Sequence, residues 1–313
     1  MLAPTKQNQI FWIGCNHLLI SESEEIKFYS MIVYLDSSIS SFFYGYSSLI
    51  KLYHEIRQQD YPEVEISFLK TKWFEANLAA VLGAIIGLLE YEGKRISISN
   101  IYSPKDILQR NGFLERFGYE PIYNRLETIV PYRQFNPKAD NDFILYVKRE
   151  LLAKPDFPRH SELLGKRISE NIYELFENAR THGKCKFIHT CGQYFPNYKI
   201  LCFTIVDMGR TIKTNVNEFL NTNMSGSESI EKKKKNGNTT KTGDNPGGLG
   251  LSIIMEFLKK NRGKIQIISS DGFWEYKEGR TRKKEFDNYF PGTIANIVFN
   301  LSDNTSYVLR ESY

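Results

Sequence analysis

Long apolar runs are scarce in this chain of 313 residues. The longest, residues 76–89, is interrupted by Asn77 and is shorter than the roughly 20 residues that cross a bilayer, so it predicts a buried helix. The opening residues lack a charged start, an uninterrupted apolar stretch and a small-residue cleavage site, and we therefore expect no secretory signal. Both absences favour a cytoplasmic protein.

Cysteine is also sparse, with 4 residues and no spacing typical of a disulfide framework, which fits a reducing compartment. His182, Cys185, His189 and Cys191 are zinc-type ligands close together in the sequence. However, no C-x-x-C pair accompanies them, and the segment KCKFIHT is typical of an ordinary strand that follows a helix. We do not expect a metal site there.

The composition lacks the low hydrophobicity and high charge of a disordered chain, since 41% of residues are hydrophobic and 25% are charged. A chain of this length can bury two cores, so two domains are expected. The net charge is +5, and part of the excess comes from the lysine run 232–235 in a polar segment. We interpret that run as a solvated surface, which gives little support for nucleic acid as a partner.

The first half alternates β-type and helical patterns. Residues 32–35, 64–69 and 96–101 are short β-type runs, while 74–89 and 106–119 have helical patterns, the second helix ending near Gly112. This alternation predicts a small α/β layer domain. A polar stretch with proline, residues 131–141, predicts the linker to the second half, and we place the domains at 1–135 and 136–313.

Within this half the stretch ISFLKTKWFEANLAAVLG resembles the STAS-like fold of anti-sigma-factor antagonists, in which a strand leads into a D-S-S-G-L helix start. The resemblance covers residues 30–115. Glu75 and Asn77 stand where that pattern has its Asp and its phosphorylated Ser, which implies that this copy is not switched by phosphorylation there. A plain α/β domain that docks against the second half is the alternative.

The segment SENIYELFENARTHG, residues 169–183, has the first candidate site residues. Its apolar residues recur at helical spacing and predict a buried stripe; they are Ile168, Ile172, Leu175, Phe176 and Ala179. Glu174 and Asn178 lie one turn apart, away from that stripe. The Asn178 carbonyl suits Mg²⁺, and Glu174 can orient or deprotonate an attacking water or hydroxyl. A solvated helix face is the plainer interpretation of this segment alone.

The segment ILCFTIVDMGRTI predicts a strand buried on both faces that ends in Asp207. A carboxylate in that position either caps local backbone amides or accepts a hydrogen bond from the exocyclic amine of adenine, which would select adenine over guanine. Gly209 has no Cβ and would let the chain approach the ring closely.

The segment DNPGGLGLSIIMEFLKKNRG predicts a glycine turn followed by a helix that stops at Gly263. Amides at the start of such a helix, with its positive dipole end, form a phosphate site. A purely structural turn uses the same residues. The candidate ligand-binding residues here are Gly247, Gly248, Leu249, Gly250 and Leu251.

In this order the three segments resemble the N box and the two glycine boxes of the gyrase, histidine kinase and MutL (GHKL) superfamily, whose histidine kinase-like ATPase domain is an α/β sandwich known as the Bergerat fold. ELFENARTHG is similar to E-x-x-x-N-A-x-x-H-G, DMG to D-x-G, and GGLGLSI to G-x-G-L-G-L-S-I. PGTIANIVFNL resembles the terminal box and implies that Thr293 supports the adenine site through water. The resemblance covers residues 141–302.

The same resemblance assigns the polar stretch 213–246 to the ATP lid, a long loop without regular structure. It implies that Lys241, which follows Thr239 and Thr240, meets the terminal phosphate. Thr211 replaces the second glycine of D-x-G-x-G, which implies less room beside the nucleotide and a change in affinity.

We therefore expect an ATP-binding, Mg²⁺-dependent protein of bacterial type that also has a protein partner, with a homodimer left open. The chemistry stays open between slow hydrolysis, nucleotide-gated regulation without turnover, and transfer of the terminal phosphate by an anti-sigma-factor-type serine kinase. Histidine kinase activity is disfavoured, because His160 lies too close to Asn178 to belong to a separate dimerisation hairpin. Membrane and nucleic acid are not expected as partners.

Overall fold

The computed structural model describes residues 12–13, 16–17, 30–123, 127–154, 157–236, 251–302 and 305–309. These residues form a mixed α/β protein with both parallel and antiparallel sheets. Among the helices of these ranges, none combines the length and the apolar character that a bilayer crossing requires.

The first half contains a three-stranded parallel sheet in the order β3-β5-β7. Helices α1 and α2 connect its strands, so the unit is a βαβαβ arrangement. The elements are β1 (Trp12–Ile13), β2 (Asn16–His17), β3 (Ser30–Tyr34), β4 (Ser38–Ile39), α1 (Phe43–Gln58), β5 (Glu63–Ser67), β6 (Trp73–Phe74), α2 (Ala79–Tyr91), β7 (Arg95–Ser99) and α3 (Lys105–Arg110). A 3-10 turn, Ala76–Leu78, leads into α2, and another, Phe113–Phe117, follows α3.

The second half is built on a five-stranded antiparallel sheet in the order β11-β12-β10-β9-β8. Its elements are β8 (Ile129–Phe135), α4 (Asp140–Tyr146), α5 (Glu162–Asn178), β9 (Ile188–Phe195), β10 (Ile200–Asp207), α6 (Ile212–Leu220), α7 (Gly226–Asn236), α8 (Ser252–Asn261), β11 (Lys264–Lys277) and β12 (Arg280–Asn300). Two π-helical turns, Val147–Leu152 and Ala179–Gly183, extend α4 and α5. A short 3-10 turn, Pro196–Tyr198, joins β9 to β10.

Both faces of this five-stranded sheet are covered. On β10, Phe203 and Ile205 point into the core formed with α5 and α8, whereas Val206 belongs to the core shared with the first half. Helix α2 and the turn before it pack against β9 and β10 on that second side. The double burial explains why the sequence of β10 is almost continuously apolar.

A cluster of buried polar side chains joins the two halves. The Asn77 amide donates to Ser41 Oγ at 2.9 Å and to Thr204 Oγ1 at 3.0 Å. The Asn296 amide donates to Gln266 Oε1 at 2.8 Å, and the Gln266 amide donates to the Ser41 carbonyl at 3.1 Å. Asn77 therefore lies fully buried against the second half's sheet, at the position where the STAS-like pattern has its acceptor serine.

One prediction about the segment between the halves needs correction, and one helix of the first half was missed. The segment that we expected to link the halves includes strand β8, an edge strand of the second half's sheet. An edge strand tolerates Pro131 because proline lacks only one ladder donor, and the pairing with β9 is irregular between Val130 and Arg133. Helix α1 was not predicted, because its sequence opens with aromatic residues, a glycine and serines, which are weak helix signals.

The expectation that the lid segment lacks regular structure is also wrong for its described part. Residues 213–236 were expected to lack regular structure, yet helices α6 and α7 occupy most of them. Residues 237–250 lie outside the described ranges. Thr211, expected to crowd the nucleotide, caps α6 by accepting a hydrogen bond from the Thr214 amide at 3.1 Å.

Candidate functional site

Helix α5 ends where the candidate site begins. Its predicted apolar stripe is confirmed, since Ile168, Ile172, Leu175, Phe176 and Ala179 are all buried. The helix continues as the π-helical turn Ala179–Gly183, which widens the backbone just after Asn178. This change of winding places the end of α5 over the end of β10.

A cavity lies between α5, α6, α7 and the sheet. Residues from each of these elements line it: Leu175, Asn178, Ala179, His182, Gly183, Ile205, Asp207, Arg210, Ile212, Asn215, Lys233, Ile267, Thr293 and Ala295. Its volume is about 30 Å³, which has room for one or two waters. Small-molecule sites commonly have roughly 300 to 1,000 Å³, so the cavity as it stands is much smaller than such a site.

Asp207 ends β10 at the floor of this cavity. Its side chain is 6% exposed, and its Oδ1 atom has no hydrogen-bond partner among the described residues. Burial raises the Asp207 pKa to about 8, although the nearby Lys233 charge and a hydrogen bond from the Gly209 amide oppose that rise. A buried carboxyl group with an unmatched oxygen is costly in free energy, which makes it a candidate ligand contact.

Two glycines shape the space around this carboxyl group. A Cβ built on Gly183 would stand 2.9 Å from Asp207 Oδ1, so a side chain there would cover the oxygen. A Cβ on Gly209 would meet the Gly183 carbonyl oxygen at 2.2 Å. The Arg210 amide donates to that same carbonyl at 2.6 Å. Gly209 is thus required for close packing on the π-helical turn, and it is not among the residues that line the cavity.

Thr293 and Asn178 lie beside Asp207. Thr293 pairs directly with Asp207 across β10 and β12, and its hydroxyl is 3.1 Å from Ser269 Oγ. Asn178 lines the cavity, and its Nδ2 donates to the Glu174 carbonyl at 2.8 Å. Since that amide nitrogen is engaged, the Asn178 side-chain oxygen is the atom suited to meet a cation or ligand.

Glu174 lies one turn earlier on α5. Its side chain is exposed and is not part of the cavity lining. The structure therefore brings Asn178, Asp207 and Thr293 together but leaves Glu174 outside the cavity. The remaining candidates lie outside the described residues: Lys241 of the lid segment, and Gly247, Gly248, Leu249 and Gly250 of the glycine turn.

Leu251 and the helix after it are described. Leu251 is buried in the core shared with α5, and α8 ends before Gly263 as predicted. At the start of α8 the Ile254 amide donates to Asn171 Oδ1 at 3.0 Å. One of the amides expected to face a phosphate is thus used by α5, a contact that sequence spacing alone did not reveal.

Lys233 on α7 is the main residue that the sequence interpretation missed. It was expected to be solvated with the rest of the lysine run, yet its side chain is 7% exposed and lines the cavity with Asp207. Burial lowers the Lys233 pKa to about 8, while the nearby Asp207 charge opposes that fall. Burial and the Lys233 charge also lower the His182 pKa.

The zinc-type residues make other contacts. His189 and Cys191 lie on the face of β9 that packs against the first half, where Tyr132 OH is 2.9 Å from His189 Nδ1. Burial lowers the His189 pKa to about 3, so the ring stays neutral. Across the described ranges, no group of at least three His, Cys, Asp or Glu side chains is arranged to hold a metal ion.

Comparison with known proteins identifies no family for the chain. The chain matches no protein-family model, and no curated protein matches it.

Proposed function

We propose that the chain binds ATP with Mg²⁺ in the cavity at the end of β10 and works as a nucleotide-gated regulator, with slow ATP hydrolysis at most, in the manner of the GHKL superfamily that its motifs resemble. The observation that carries the proposal is the buried Asp207 carboxyl group, which lines this cavity and whose Oδ1 has no hydrogen-bond partner in the described part of the chain. In the ionised form this group accepts a hydrogen bond from the exocyclic amine of adenine.

The surroundings of Asp207 suit a purine. Ile205, Ile267 and Leu175 supply apolar walls for the ring, and the Thr293 hydroxyl lies beside the carboxyl group on the neighbouring strand. Guanine would present a carbonyl oxygen in place of the adenine amine, and two acceptors would then face each other. Adenine is therefore the preferred base.

Asn178 fits a magnesium site of the kind that accompanies nucleotides. Mg²⁺ commonly keeps several waters and takes only one or two protein oxygens, with phosphate oxygens completing the octahedron. One side-chain oxygen from Asn178 is sufficient in such a site, so a larger cluster of acidic ligands is not needed. The cation would neutralise phosphate charge, and the chain would orient it through α5.

Gating is favoured over rapid turnover by the position of Glu174. A general base has to reach the attacking water, and Glu174 is exposed outside the cavity lining. A serine kinase of the anti-sigma type would need an acceptor other than the first half's Asn77, which is buried and has no hydroxyl group. Binding and single-turnover assays of Glu174→Ala separate these alternatives. A binding switch keeps its ligand and partner binding in this variant. An ATPase or kinase loses phosphate release or phosphate transfer.

Isothermal titration tests the binding itself. We expect heat on adding ATP with Mg²⁺, weaker binding without Mg²⁺, and at least tenfold weaker binding of GTP, about the value of one lost hydrogen bond to a charged group. Asp207→Asn should lose about tenfold or more in ATP affinity. Asp287→Asn is the matched control, since Asp287 is an exposed carboxylate on β12. Equal binding of ATP and GTP, or an unchanged affinity in Asp207→Asn, would contradict the proposal.

A further inference from the structure

Helix α7 places one lysine of its run inside the candidate nucleotide site. Lys233 is buried and lines the cavity, whereas Lys232 and Lys234 beside it are only partly buried. A lysine ammonium is rarely buried without compensation, because removing it from water costs free energy. Its position therefore has to be held by other contacts of α7.

Those contacts lie mainly on β11. Trp274 Nε1 donates to Glu231 Oε2 at 2.6 Å, and Lys234 Nζ lies 5.2 Å from the centre of the Trp274 ring and 5.8 Å from that of Tyr276. Ile230 is fully buried in the same core as α5. Helix α7 is thus a docked element, although its sequence is polar.

Asp207 and Lys233 influence each other without a direct bond. Each group shifts the other's pKa toward the charged form, yet Asp207 Oδ1 still has no hydrogen-bond partner among the described residues. The attraction therefore acts across a gap and not through a direct bond. The other polar groups facing this gap are Asn178, His182, Arg210, Asn215 and Thr293.

Space is the second part of the argument. The cavity holds about 30 Å³, roughly a tenth of the smallest common ligand site, and the Lys233 side chain is part of its wall. Withdrawal of that side chain would enlarge the cavity that Asp207 also lines. The apolar walls would remain, because they belong to α5 and the sheet.

We propose that Lys233 is a built-in competitor of the nucleotide: its side chain fills the purine position while α7 is docked, and ATP binds only after α7 withdraws from Asp207. This inference rests on the proposed function and names its regulation. Because the competent state is only partly populated, the apparent dissociation constant is raised by the inverse of that population. Release of α7 from Trp274 then precedes binding, and ATP shifts the population toward the released state.

Titration of ATP with Mg²⁺ into Lys233→Ala tests the proposal. We expect the dissociation constant to fall about tenfold, as for a site that is closed about nine-tenths of the time. Lys232→Ala removes the same charge from the neighbouring position and should stay within twofold of the wild type. Lys233→Met keeps most of the side-chain volume without the charge and should stay closer to the wild type than Lys233→Ala.

The possible results separate the two proposals. If the wild type binds and Lys233→Ala binds equally or more weakly, the competitor role is overturned and ATP binding stands. If neither binds, both proposals are overturned. If only Lys233→Ala binds, both are supported. If a variant shows no cooperative thermal unfolding, hydrogen exchange on the wild type takes its place. Peptides from α7 should then exchange faster with ATP present. Equal or slower exchange would overturn the competitor role.

Discussion

Strand β10 presents a buried polar residue to each face of its sheet, and the two residues differ in their hydrogen bonds. Thr204 points to the first half, where its hydroxyl donates to Asn296 Oδ1 at 3.0 Å and accepts from Asn77. Asp207 points to the opposite side, where its Oδ1 lacks a partner among the described residues. Both residues are less than a tenth exposed.

This comparison shows that burial of a polar group does not by itself indicate function. In the cluster around Thr204 most polar atoms are paired, with Asn77 Oδ1 the exception among the atoms named, and the cluster carries no charge; such a cluster fixes how two layers dock. The Asp207 carboxyl group costs stability as it stands, which is expected where a ligand supplies the missing contact. The following predictions test this difference, from the largest expected effect to the smallest.

The largest effect is expected from Asn77→Asp. The substitution removes the amide that donates to Ser41 and Thr204 and leaves a charge buried against β10. We expect the free energy of unfolding to fall by about 3 to 5 kcal/mol, the usual cost of an unpaired buried charge. Urea unfolding measures it, and Asn221→Asp at an exposed position should change little. A loss below about 1 kcal/mol would mean that the cluster does not hold the two halves together.

Asp207→Asn should act in the opposite direction and depend on pH. The Asp207 pKa is raised from 3.8 to about 8, so the folded wild type loses stability as pH rises from about 4 to 8. Lys233 has a lowered pKa, from 10.5 to about 8, so stability returns as pH rises further toward 10.5.

The variant lacks the first of these changes. At pH 8.5 we expect it to be more stable than the wild type by about 1 to 3 kcal/mol, the cost of an unsatisfied buried group, with little difference at pH 5. Thermal unfolding at the two pH values measures this. Parallel profiles for both proteins would show that Asp207 does not carry the burial cost assigned to it.

A third test compares two glycines on the two sides of the sheet. Gly209→Ala puts a methyl group 2.2 Å from the Gly183 carbonyl oxygen and should cost about 1 to 3 kcal/mol. Gly87 on α2 has 3.7 Å to the His189 ring, so Gly87→Ala should gain roughly 0.5 to 1 kcal/mol from helix propensity. Unfolding curves for the two variants measure the loss and the gain in the free energy of unfolding. An unchanged stability of Gly209→Ala would contradict the tight packing of Gly209 on the π-helical turn.

Outside this order of stability effects, ATP affinity should depend on pH. The adenine amine needs an ionised acceptor, and the Asp207 pKa is about 8. Affinity should therefore rise with pH, by up to about tenfold per unit below pH 7.5, and level off above pH 8. Titrations at pH 6, 7 and 8 measure it, with Asp207→Asn expected to show a shallower profile, in which Lys233 is the cavity group that still titrates near pH 8. Affinity that falls with rising pH would exclude Asp207 as the acceptor.

The sequence predicted those parts of the site that depend on local periodicity. The stripe on α5 and the buried strand β10 were recognisable because residues such as Ile172 and Phe203 recur at the helical or strand spacing. The position of Asp207 at the end of that strand followed directly. These features need no knowledge of what packs against them.

The parts that depend on tertiary contacts were not predictable in this way. Helix α7 is polar, and Trp274, more than thirty residues later, holds it through Glu231 and Lys234. A lysine run is normally solvated, so nothing local distinguishes Lys233 from its neighbours. The sequence predicts a linker where strand β8 lies, because its proline and polar residues suit an edge strand and a loop equally well.

Strands β11 and β12 form a hairpin that has α7 on one face and α1 on the other. Trp274 meets α7 on one side, while the preceding residue, Phe273, meets Phe43 of α1 on the other, with 5.6 Å between ring centres. Phe286 on the returning strand stacks on the same Phe43 ring at 4.5 Å. The same two strands therefore hold the docked face of α7 and the aromatic contacts of α1, so substitutions at Trp274 and Phe273 address the two helices from neighbouring positions.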